Sequence, residues 1–459
     1  MPTTDRTATL PSLAAQADAL RAGDATAPEL VDACLERVER VDPQLNAFRS
    51  VRAQAARVEA AEAQRRLDAG EAAPLLGVPV VVKDNVDIAG ETTCHGTAAV
   101  TRSATADSEV VRRLRSAGAV IVGKTHLPEL AAWGHFTESQ TYGSTRNPWD
   151  PERTTGGSSG GTAAVVAAGI VGAGLGSDGG GSIRIPAATC GVYGLKPTRG
   201  RVPLAPHDDH WHGATVLGPI ARTVRDAALF LDAVADGDGF VEATEAAPRA
   251  LRVAVSYKNT LPAIKLDPER RAAVERTAQL LTELGHTVDE RDPRYGILLA
   301  EIMPPYLHGV AQDAAALDAP DKLEPRTAKL AGLGRRLGGR ALRRALRRRD
   351  ATSARINAIF DDHDVVLTPV VAQPPEPVGT WAGKGPLRTF NGGGPYVGYT
   401  AVWNLTGNPA AALPAGTDDA GLPLAVQLVA RPGSEATLLA LSAQLEAVRP
   451  WAQRTPPVV

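Results

Sequence analysis

Hydrophobic and polar positions along the chain follow two patterns, one typical of amphipathic helices and one typical of buried strands. The sequence Thr-Ala-Pro-Glu at 26–29 predicts a helix N-terminus with a capping box, and the apolar residues after it recur at helical spacing. The runs LLGVPVVVK at 75–83 and AVIVG at 119–123 are rich in β-branched residues, which favours strands buried on both faces. Helices that alternate with such runs predict an α/β protein with a largely buried sheet.

The same two patterns continue to the C-terminus. Further strands are predicted at 251–257, 365–371 and 422–429, and further helices at 52–67, 108–118, 223–234, 269–284 and 435–448. Between 297 and 360 the pattern becomes entirely helical and rich in arginine, which indicates an insertion into the α/β body. Because no internal repeat and no long linker interrupts the chain, we expect a single large domain.

Composition excludes several classes of protein. The formal net charge is −2 over 459 residues, which argues against attraction of the whole protein to nucleic acid or to a membrane surface. Cys34, Cys94 and Cys190 are far apart and odd in number, which suits a reducing cytosol and excludes a disulfide framework. The N-terminus shows no export signal, and the longest apolar run is shorter than the about 20 residues that a membrane span needs. We therefore expect a cytoplasmic protein.

Glycine and hydroxyl residues are concentrated between 154 and 203, where two serines lie in separate glycine clusters. Ser158 lies in GGSSGG and Ser182, 24 positions later, in DGGGSIR. Since ordering glycine is costly, such clusters indicate places where the backbone approaches a ligand. Three motif matches are weak. The GxSxG nucleophile elbow lacks a recognisable triad histidine, the GxGxxG match is followed by Pro186 instead of a long helix, and GGSSGG lacks the GK[ST] of a phosphate loop.

A lysine is a better candidate for the base that a serine needs to attack a carbonyl group. Lys83 ends the predicted strand 75–83, and burial there would lower its pKa and favour the neutral amine. Lowering the pKa from ~10.4 to ~7 would cost about 4–5 kcal/mol at 1.36 kcal/mol per unit. The glycines at 179–181 carry no side chains, so the backbone up to Ser182 can direct N–H groups at a tetrahedral oxyanion.

Ordered segments along the chain match one known pattern. They are LLGVPVVVKDN, AGAVIVGKT, TRNPWD, GGSSGG, SDGGGSIRIP, CGVYGLKPTRGRV, GPIARTVRDAALFLD, DVVLTPV, WNLTGNPAAALPAG and GLPLAVQLVARPG. With these segments, between about residue 10 and residue 450, the chain resembles the amidase signature family of Ser-Ser-Lys hydrolases. The spacing of 24 between Ser158 and Ser182 also agrees with the family.

The resemblance implies a role for each residue of the glycine-rich centre. Ser182 would be the acylated nucleophile, Lys83 the general base, and Ser158 the serine that relays protons between them, after a cis peptide bond from Gly157. The oxyanion hole would consist of the amides of Gly179, Gly180, Gly181 and Ser182. The supporting residues would be Asp178, Arg184 and Ser159. No metal and no cofactor would be required.

The resemblance also implies a fold and a reaction. We expect one amidase domain over 1–459, an α/β fold with a mixed central β-sheet wrapped by α-helices. Its expected parts are N-terminal helices at 1–70, a catalytic core at 75–240, a helical insertion shaping the substrate pocket at 297–360, and a return to the core at 361–459. The expected reaction is hydrolysis of a small-molecule amide by a monomer or homodimer, with carbamate (urethane), aryl-amide and ester hydrolysis as alternatives.

Some features depart from the family or leave alternatives open. Ser177 replaces the usual threonine, a mild change. The segment 203–216 differs from the serine-rich segment of the tRNA-dependent amidotransferase A subunits, which disfavours a role that depends on a partner. The histidines and aspartates at 207–212 could form a metal site, but we favour a loop that lines the pocket. The arginine-rich stretch 335–350 could bind nucleic acid, but we favour a solvated helix face. We expect Trp211 to be an anchor of the core or of a loop.

Overall fold

A mixed sheet of eleven strands forms the centre of the protein in this computed structural model, which describes residues 9–261 and 263–458. The strands in this part of the chain are β1 (Phe48–Val51), β2 (Pro79–Lys83), β3 (Val120–Thr125), β4 (Glu138–Ser139), β5 (Gly143–Ser144), β6 (Arg146–Asn147), β7 (Asp150–Thr154), β8 (Ala173–Asp178), β9 (Tyr193–Lys196), β10 (Val216–Ala221), β11 (Arg252–Val255), β12 (Thr287–Glu290), β13 (Val365–Pro369), β14 (Ala410–Thr417) and β15 (Pro423–Ala430). The order in the sheet is β1-β3-β2-β8-β10-β9-β14-β15-β13-β11-β12, while β4 pairs with β5 and β6 with β7. Parallel and antiparallel pairs both occur, so the predicted mixed sheet is confirmed.

Helices surround this sheet. They are α1 (Leu13–Ala22), α2 (Ala27–Leu45), α3 (Ala53–Asp68), α4 (Glu109–Ser116), α5 (Gly160–Ala167), α6 (Arg184–Cys190), α7 (Val224–Val234), α8 (Phe240–Glu245), α9 (Pro268–Glu283), α10 (Leu299–Ala315), α11 (Pro325–Asn357), α12 (Pro386–Gly392), α13 (Gly394–Val397), α14 (Ala401–Thr406) and α15 (Glu435–Val448). The predicted capping box is present at the start of α2, where Thr26 and Glu29 bond to each other's backbone N–H groups. Residues 1–8, part of the predicted N-terminal region, lie outside the described residues. None of the described helices is long and apolar enough to cross a membrane.

The four strands in the middle of the sheet, β8, β10, β9 and β14, were not predicted as strands from the sequence. Their sequences contain much alanine and glycine and few β-branched residues, so their strand propensity is low. Small residues are needed here because helices pack closely on these strands. A side chain at Gly174 would lie 2.8 Å from Thr162 of α5, and one at Gly194 would lie 2.6 Å from Ala187 of α6. Packing against α5 and α6 therefore outweighs strand propensity.

The parallel pairing of β2 with β8 positions the chemically important residues. Val81 pairs with Gly174 and Val82 with Leu175, so both strands run in the same direction with their C-terminal ends together. Lys83 is the last residue of β2 and Asp178 is the last residue of β8. Both are completely buried. The register thus places a buried lysine at the C-terminal end of these strands, where the glycine-rich loop begins.

The segment 297–360 consists of α10 and α11, with short 3₁₀-helices at Pro320–Lys322 and Ala358–Asp361. The two long helices pack against each other at Gly334 of α11. A methyl group on Gly334 would overlap the carbonyl oxygen of Leu307 in α10. By contrast, a methyl group on Gly332 would have its nearest contact at 3.6 Å, among the described residues and apart from the adjacent backbone of the helix itself. That contact is with the flexible side chain of Arg335. Two glycines of the same helix therefore differ sharply in their surroundings.

This difference gives a paired prediction for stability. Gly334→Ala should lower the melting temperature, because overpacking a tight contact costs about 1–3 kcal/mol. Gly332→Ala should leave it unchanged or raise it, because alanine is favoured over glycine in a helix by up to about 1 kcal/mol. Differential scanning fluorimetry of both variants tests the packing of α10 on α11. Equal melting temperatures for the two variants would contradict it.

Candidate active site

The amine of Lys83 lies between two serine hydroxyls. Lys83 Nζ is 2.6 Å from Ser158 Oγ and 2.8 Å from Ser177 Oγ, both hydrogen-bond distances. Burial lowers the pKa of Lys83 to about 7, although the negative charge of Asp178 opposes part of this shift. At neutral pH a substantial fraction of this amine is therefore unprotonated.

The segment that carries Ser158 connects β7 to α5. The peptide bond between Gly157 and Ser158 is cis, as the resemblance implied. A side chain on Gly157 would overlap the carbonyl oxygen of Phe136, which explains the glycine before this serine. Ser159 holds the segment on β8, because its Oγ accepts from Ser177 N at 3.2 Å and donates to Ser177 O at 3.1 Å.

Asp178 closes the turn that carries Ser182, residues 179–183, which we call the Ser182 loop. Its carboxylate accepts the N–H groups of Gly181 at 2.6 Å and of Ile183 at 3.1 Å. It also accepts two bonds from Arg184, Nε at 3.0 Å and Nη2 at 2.9 Å. Burial alone would raise the pKa of Asp178, but Arg184 and the other donors outweigh burial and hold the pKa well below its usual range. The carboxylate is therefore ionised and fully bonded.

The guanidinium of Arg184 is itself completely buried and is bonded on its other side to the C-terminal part of the chain. It donates to the backbone oxygen of Thr400 at 3.0 Å, to Gln427 Oε1 at 2.7 Å and to Asn404 Oδ1 at 2.7 Å. None of these three residues was singled out from the sequence. Asn404 and Gln427 nevertheless lie in the matching segments WNLTGNPAAALPAG and GLPLAVQLVARPG. These segments drew attention to this part of the chain but did not show that the two residues contact Arg184.

Three amides of the Ser182 loop are open. Gly179 and Gly180 are half-buried, and Ser182 is 7% exposed. The N–H groups of these three residues have no acceptor among the residues that the structure describes. The amide of Gly181 instead donates to Asp178. Gly181 also has a φ of +130° and would bring any side chain into the hydroxyl of Thr400, so only glycine fits there.

The structure brings the predicted residues into one network. Ser159 N donates to the backbone oxygen of Ser182 at 3.1 Å, which joins the two serine segments. Ser177, noted from the sequence only as a replacement for threonine, accepts from Lys83 and also from Asn85 Nδ2 at 3.0 Å. The network thus contains the predicted residues Lys83, Ser158, Ser159, Asp178, Ser182 and Arg184 together with the unpredicted Ser177 and Asn85. Ser182 takes part through its backbone oxygen, and its hydroxyl group has no hydrogen-bond partner among the described residues.

A second buried lysine shows that a lowered pKa alone does not identify a base. Burial also lowers the pKa of Lys196 to about 7, with the charge of Arg184 as the next cause. Lys196 Nζ, however, donates to the backbone oxygen of Pro197 at 3.0 Å and has no serine hydroxyl within hydrogen-bond distance among the described residues. Only Lys83 of these two lysines combines a low pKa with a hydroxyl partner.

A cavity of about 810 Å³ lies beside this network. Its wall includes Asn85 and Leu217, which adjoin Ser177 on two sides, and Asp313 of α10. From the histidine-rich segment 207–212, His207 and His210 also line the cavity, as we favoured. His212 forms a different contact, because its Nε2 lies 2.9 Å from His308 Nδ1. Within 9–261 and 263–458, no group of three or more histidine, cysteine, aspartate or glutamate side chains could hold a metal ion.

Trp211 is buried, as expected for an anchor, but it also touches the Ser182 loop. The nearest atom of its indole ring lies 2.9 Å from the point where a side chain on Gly179 would begin. On its other side the indole meets the ring of Tyr306 in an edge-to-face contact at 5.3 Å. A residue of the segment 203–216 and a residue of α10 together form an aromatic wall next to the open amides.

Comparison with known proteins identifies the family of this chain. A sequence profile of the amidase family matches residues 29–439. A Mycobacterium tuberculosis protein assigned as an amidase and named AmiB2 is 51% identical over 452 residues, 97% of each chain. Among solved structures, 6-aminohexanoate cyclic dimer hydrolase in complex with its substrate has a TM-score of 0.88 at 30% identity and covers 99% of this chain and 100% of its own. A bacterial aryl acylamidase, an amidase signature enzyme, has a TM-score of 0.87 at 27% identity over 97% of each chain. The chain therefore belongs to the amidase signature family.

Proposed function

We propose that this amidase cleaves the C–N bond of small carboxylic amides through an acyl-enzyme on Ser182, with Lys83 as general base and Ser158 as proton relay. The contact of 2.6 Å between Lys83 Nζ and Ser158 Oγ, in a fully buried setting, carries the proposal. A serine hydroxyl is a weak nucleophile until an adjacent base removes its proton. A lysine whose pKa is about 7 can act as that base at neutral pH.

The partners of Lys83 suit a neutral amine. A neutral amine has two N–H groups and one lone pair. If the lone pair accepts the hydroxyl proton of Ser158, the N–H groups remain for Ser177 Oγ at 2.8 Å and Ser177 O at 3.4 Å. Among the described residues, no carboxylate forms an ion pair with Lys83. Lys124 on the neighbouring strand differs, because its amine lies 2.8 Å from Asp84 Oδ1 in a buried ion pair.

In the acylation step, Ser182 Oγ attacks the amide carbon and transfers its proton to Ser158, which in turn gives its own proton to Lys83. The charge that develops on the carbonyl oxygen is stabilised by the open amides of Gly179, Gly180 and Ser182. The tetrahedral intermediate then collapses, and its C–N bond breaks. The proton held by Lys83 returns through Ser158 to the leaving nitrogen, so ammonia or an amine departs and the acyl group stays on Ser182.

In the deacylation step, water takes the place of the amine. Lys83 and Ser158 remove one proton from the water as it attacks the acyl carbon. They then return this proton to Ser182 Oγ as the acyl–oxygen bond breaks and the carboxylic acid leaves. The same groups thus serve as base and as acid in both halves of the cycle.

The substrate is a small molecule in this proposal. The names of two solved relatives, an aryl acylamidase and a hydrolase of a 6-aminohexanoate cyclic dimer, support small amides. Carbamates, aryl amides and esters present the same carbonyl group and are the second candidates. We further propose that the protein works in the cytoplasm as a monomer or homodimer, without a nucleic-acid or membrane partner. The net charge of −2 is in keeping with the last point, because it gives the whole protein no attraction to either partner.

Removal of the proposed nucleophile is the first test. Ser182→Ala should lower kcat/KM for an amide substrate to below about 10⁻³ of the wild-type value, because no acyl-enzyme can form. The circular dichroism spectrum and the melting temperature should stay unchanged, because the hydroxyl group of Ser182 forms no hydrogen bond in the network described above. Hydrolysis at more than a tenth of the wild-type rate would contradict the role of Ser182.

Lys83 and Lys196, the two buried lysines whose pKa is lowered to about 7, provide a matched test of the base. Lys83→Met should lower kcat/KM about 10²–10⁴-fold, the range for loss of a general base, whereas Lys196→Met should have a much smaller effect. In the wild type, kcat/KM should rise tenfold per pH unit at acidic pH and level off above about pH 7, because only unprotonated Lys83 is active and its pKa is lowered to about 7. This inflection should persist in Lys196→Met. A profile that is flat between pH 5 and pH 9 in the wild type would refute the base assignment.

A further inference from the structure

Three side chains form a relay in the cavity wall between α10 and the Ser182 loop. Asp313 Oδ1 lies 3.0 Å from His210 Nε2, and His210 Nδ1 lies 2.8 Å from Thr215 Oγ1. The second oxygen of Asp313 accepts the indole N–H of Trp211 at 2.7 Å. All three relay residues line the cavity of about 810 Å³. The proposed reaction does not use any of them.

The relay fixes the direction of the hydroxyl of Thr215. A carboxylate only accepts hydrogen bonds, so His210 must carry its proton on Nε2 to bond to Asp313. In a neutral imidazole, Nδ1 is then an acceptor, and it takes the hydroxyl proton of Thr215. The lone pairs of Thr215 Oγ1 are consequently left as acceptors. A hydroxyl without this relay could rotate and present either a donor or an acceptor.

Thr215 is also close to the open amides. Its Oγ1 lies 3.3 Å from the point where a side chain on Gly179 would begin. If the amide of Gly179 binds the carbonyl oxygen, as proposed above, the atoms attached to the carbonyl carbon of the substrate would lie near Thr215. Thr215 is 7% exposed and is one of the residues that line the cavity.

We propose that Thr215 is a substrate-positioning residue, which accepts a hydrogen bond from the N–H group of the scissile amide, and that His210 and Asp313 orient it. The inference rests on the proposed function of Ser182. In this role, Thr215 makes the N–H group of the substrate the group that the site recognises. The site should therefore favour amides and N–H carbamates over esters, in which an oxygen atom replaces the N–H group. The acceptor also suits the reaction, because the departing nitrogen gains a proton and becomes a stronger donor.

The test compares an anilide with the phenyl ester of the same acid. Both substrates give the same acyl-enzyme, so the ratio of their kcat/KM values compares binding and acylation, the steps in which the N–H group and the ester oxygen differ. In Thr215→Val, which keeps the shape of the side chain, the anilide-to-ester ratio should fall at least about 5-fold from its wild-type value, as expected when a buried N–H loses its partner. In Thr215→Ser, which restores the hydroxyl, the ratio should return to within about 2-fold.

The relay gives a second, independent readout. Asp313→Asn should lower the same ratio, because His210 is then free to change tautomer. The anilide-to-ester ratio of the double variant Asp313→Asn/Thr215→Val should be no lower than that of Thr215→Val alone, because both changes act on the same hydrogen bond to the substrate. His212→Gln is the matched control, because it breaks the contact of the same loop with His308 of α10 but leaves the relay intact. It should keep the wild-type ratio.

The results of these measurements either support or overturn the proposed role of Thr215. Equal losses on anilide and ester in Thr215→Val, or a fall in the ratio for His212→Gln as large as for Asp313→Asn, would overturn the inference. Reaction of the wild type with a fluorophosphonate probe separates this failure from failure of the proposed function. Label on Ser182 together with an unchanged ratio in Thr215→Val refutes the role of Thr215 alone. A wild type without label on Ser182 refutes the proposed function, and the inference falls with it.

Discussion

The carboxylate of Asp178 is the constraint on which the active-site geometry depends. It ends β8, accepts two backbone N–H groups of the Ser182 loop, and binds Arg184 through two bonds. Arg184 extends the constraint to the C-terminal part of the chain through Asn404 and Gln427. Loss of one member of such a buried pair costs about 3–5 kcal/mol, because the other charge is left without a partner. The loop is therefore held in one shape before any substrate arrives.

Lys83 is buried together with the Asp178–Arg184 pair, and this burial lowers the pKa of its amine. A lysine without a carboxylate in contact loses much of its preference for the charged form when water is removed. The negative charge of Asp178 opposes part of this shift, and Asp178 is itself paired with Arg184. The loop held by Asp178 and the lowered pKa of Lys83 thus both arise in one buried region. The proposed relay of Asp313, His210 and Thr215 lies in the wall of the adjacent cavity.

Strands with β-branched residues, such as β2 and β3, and helices with clear caps, such as α2, could be predicted from the sequence. The central strands could not, because close packing of α5 and α6 requires alanine and glycine where strand propensity favours other residues. In the site, the glycine clusters and the resemblance indicated Lys83, Ser158 and Ser182. The partners Ser177 and Thr215 could not be predicted, because their importance lies in contacts across strands and loops that are distant in the sequence.

Mapping the residue that a fluorophosphonate probe modifies tests the central claim most directly. Trypsin cannot separate the candidates, because no lysine or arginine lies between Arg153 and Arg184, so fragmentation of the peptide 154–184 must locate the adduct. We predict a single adduct on Ser182 that forms faster as the pH rises through about 7, the pKa to which burial lowers Lys83. An adduct on Ser158 or Ser159, or a rate of labelling that does not change with pH, would contradict it.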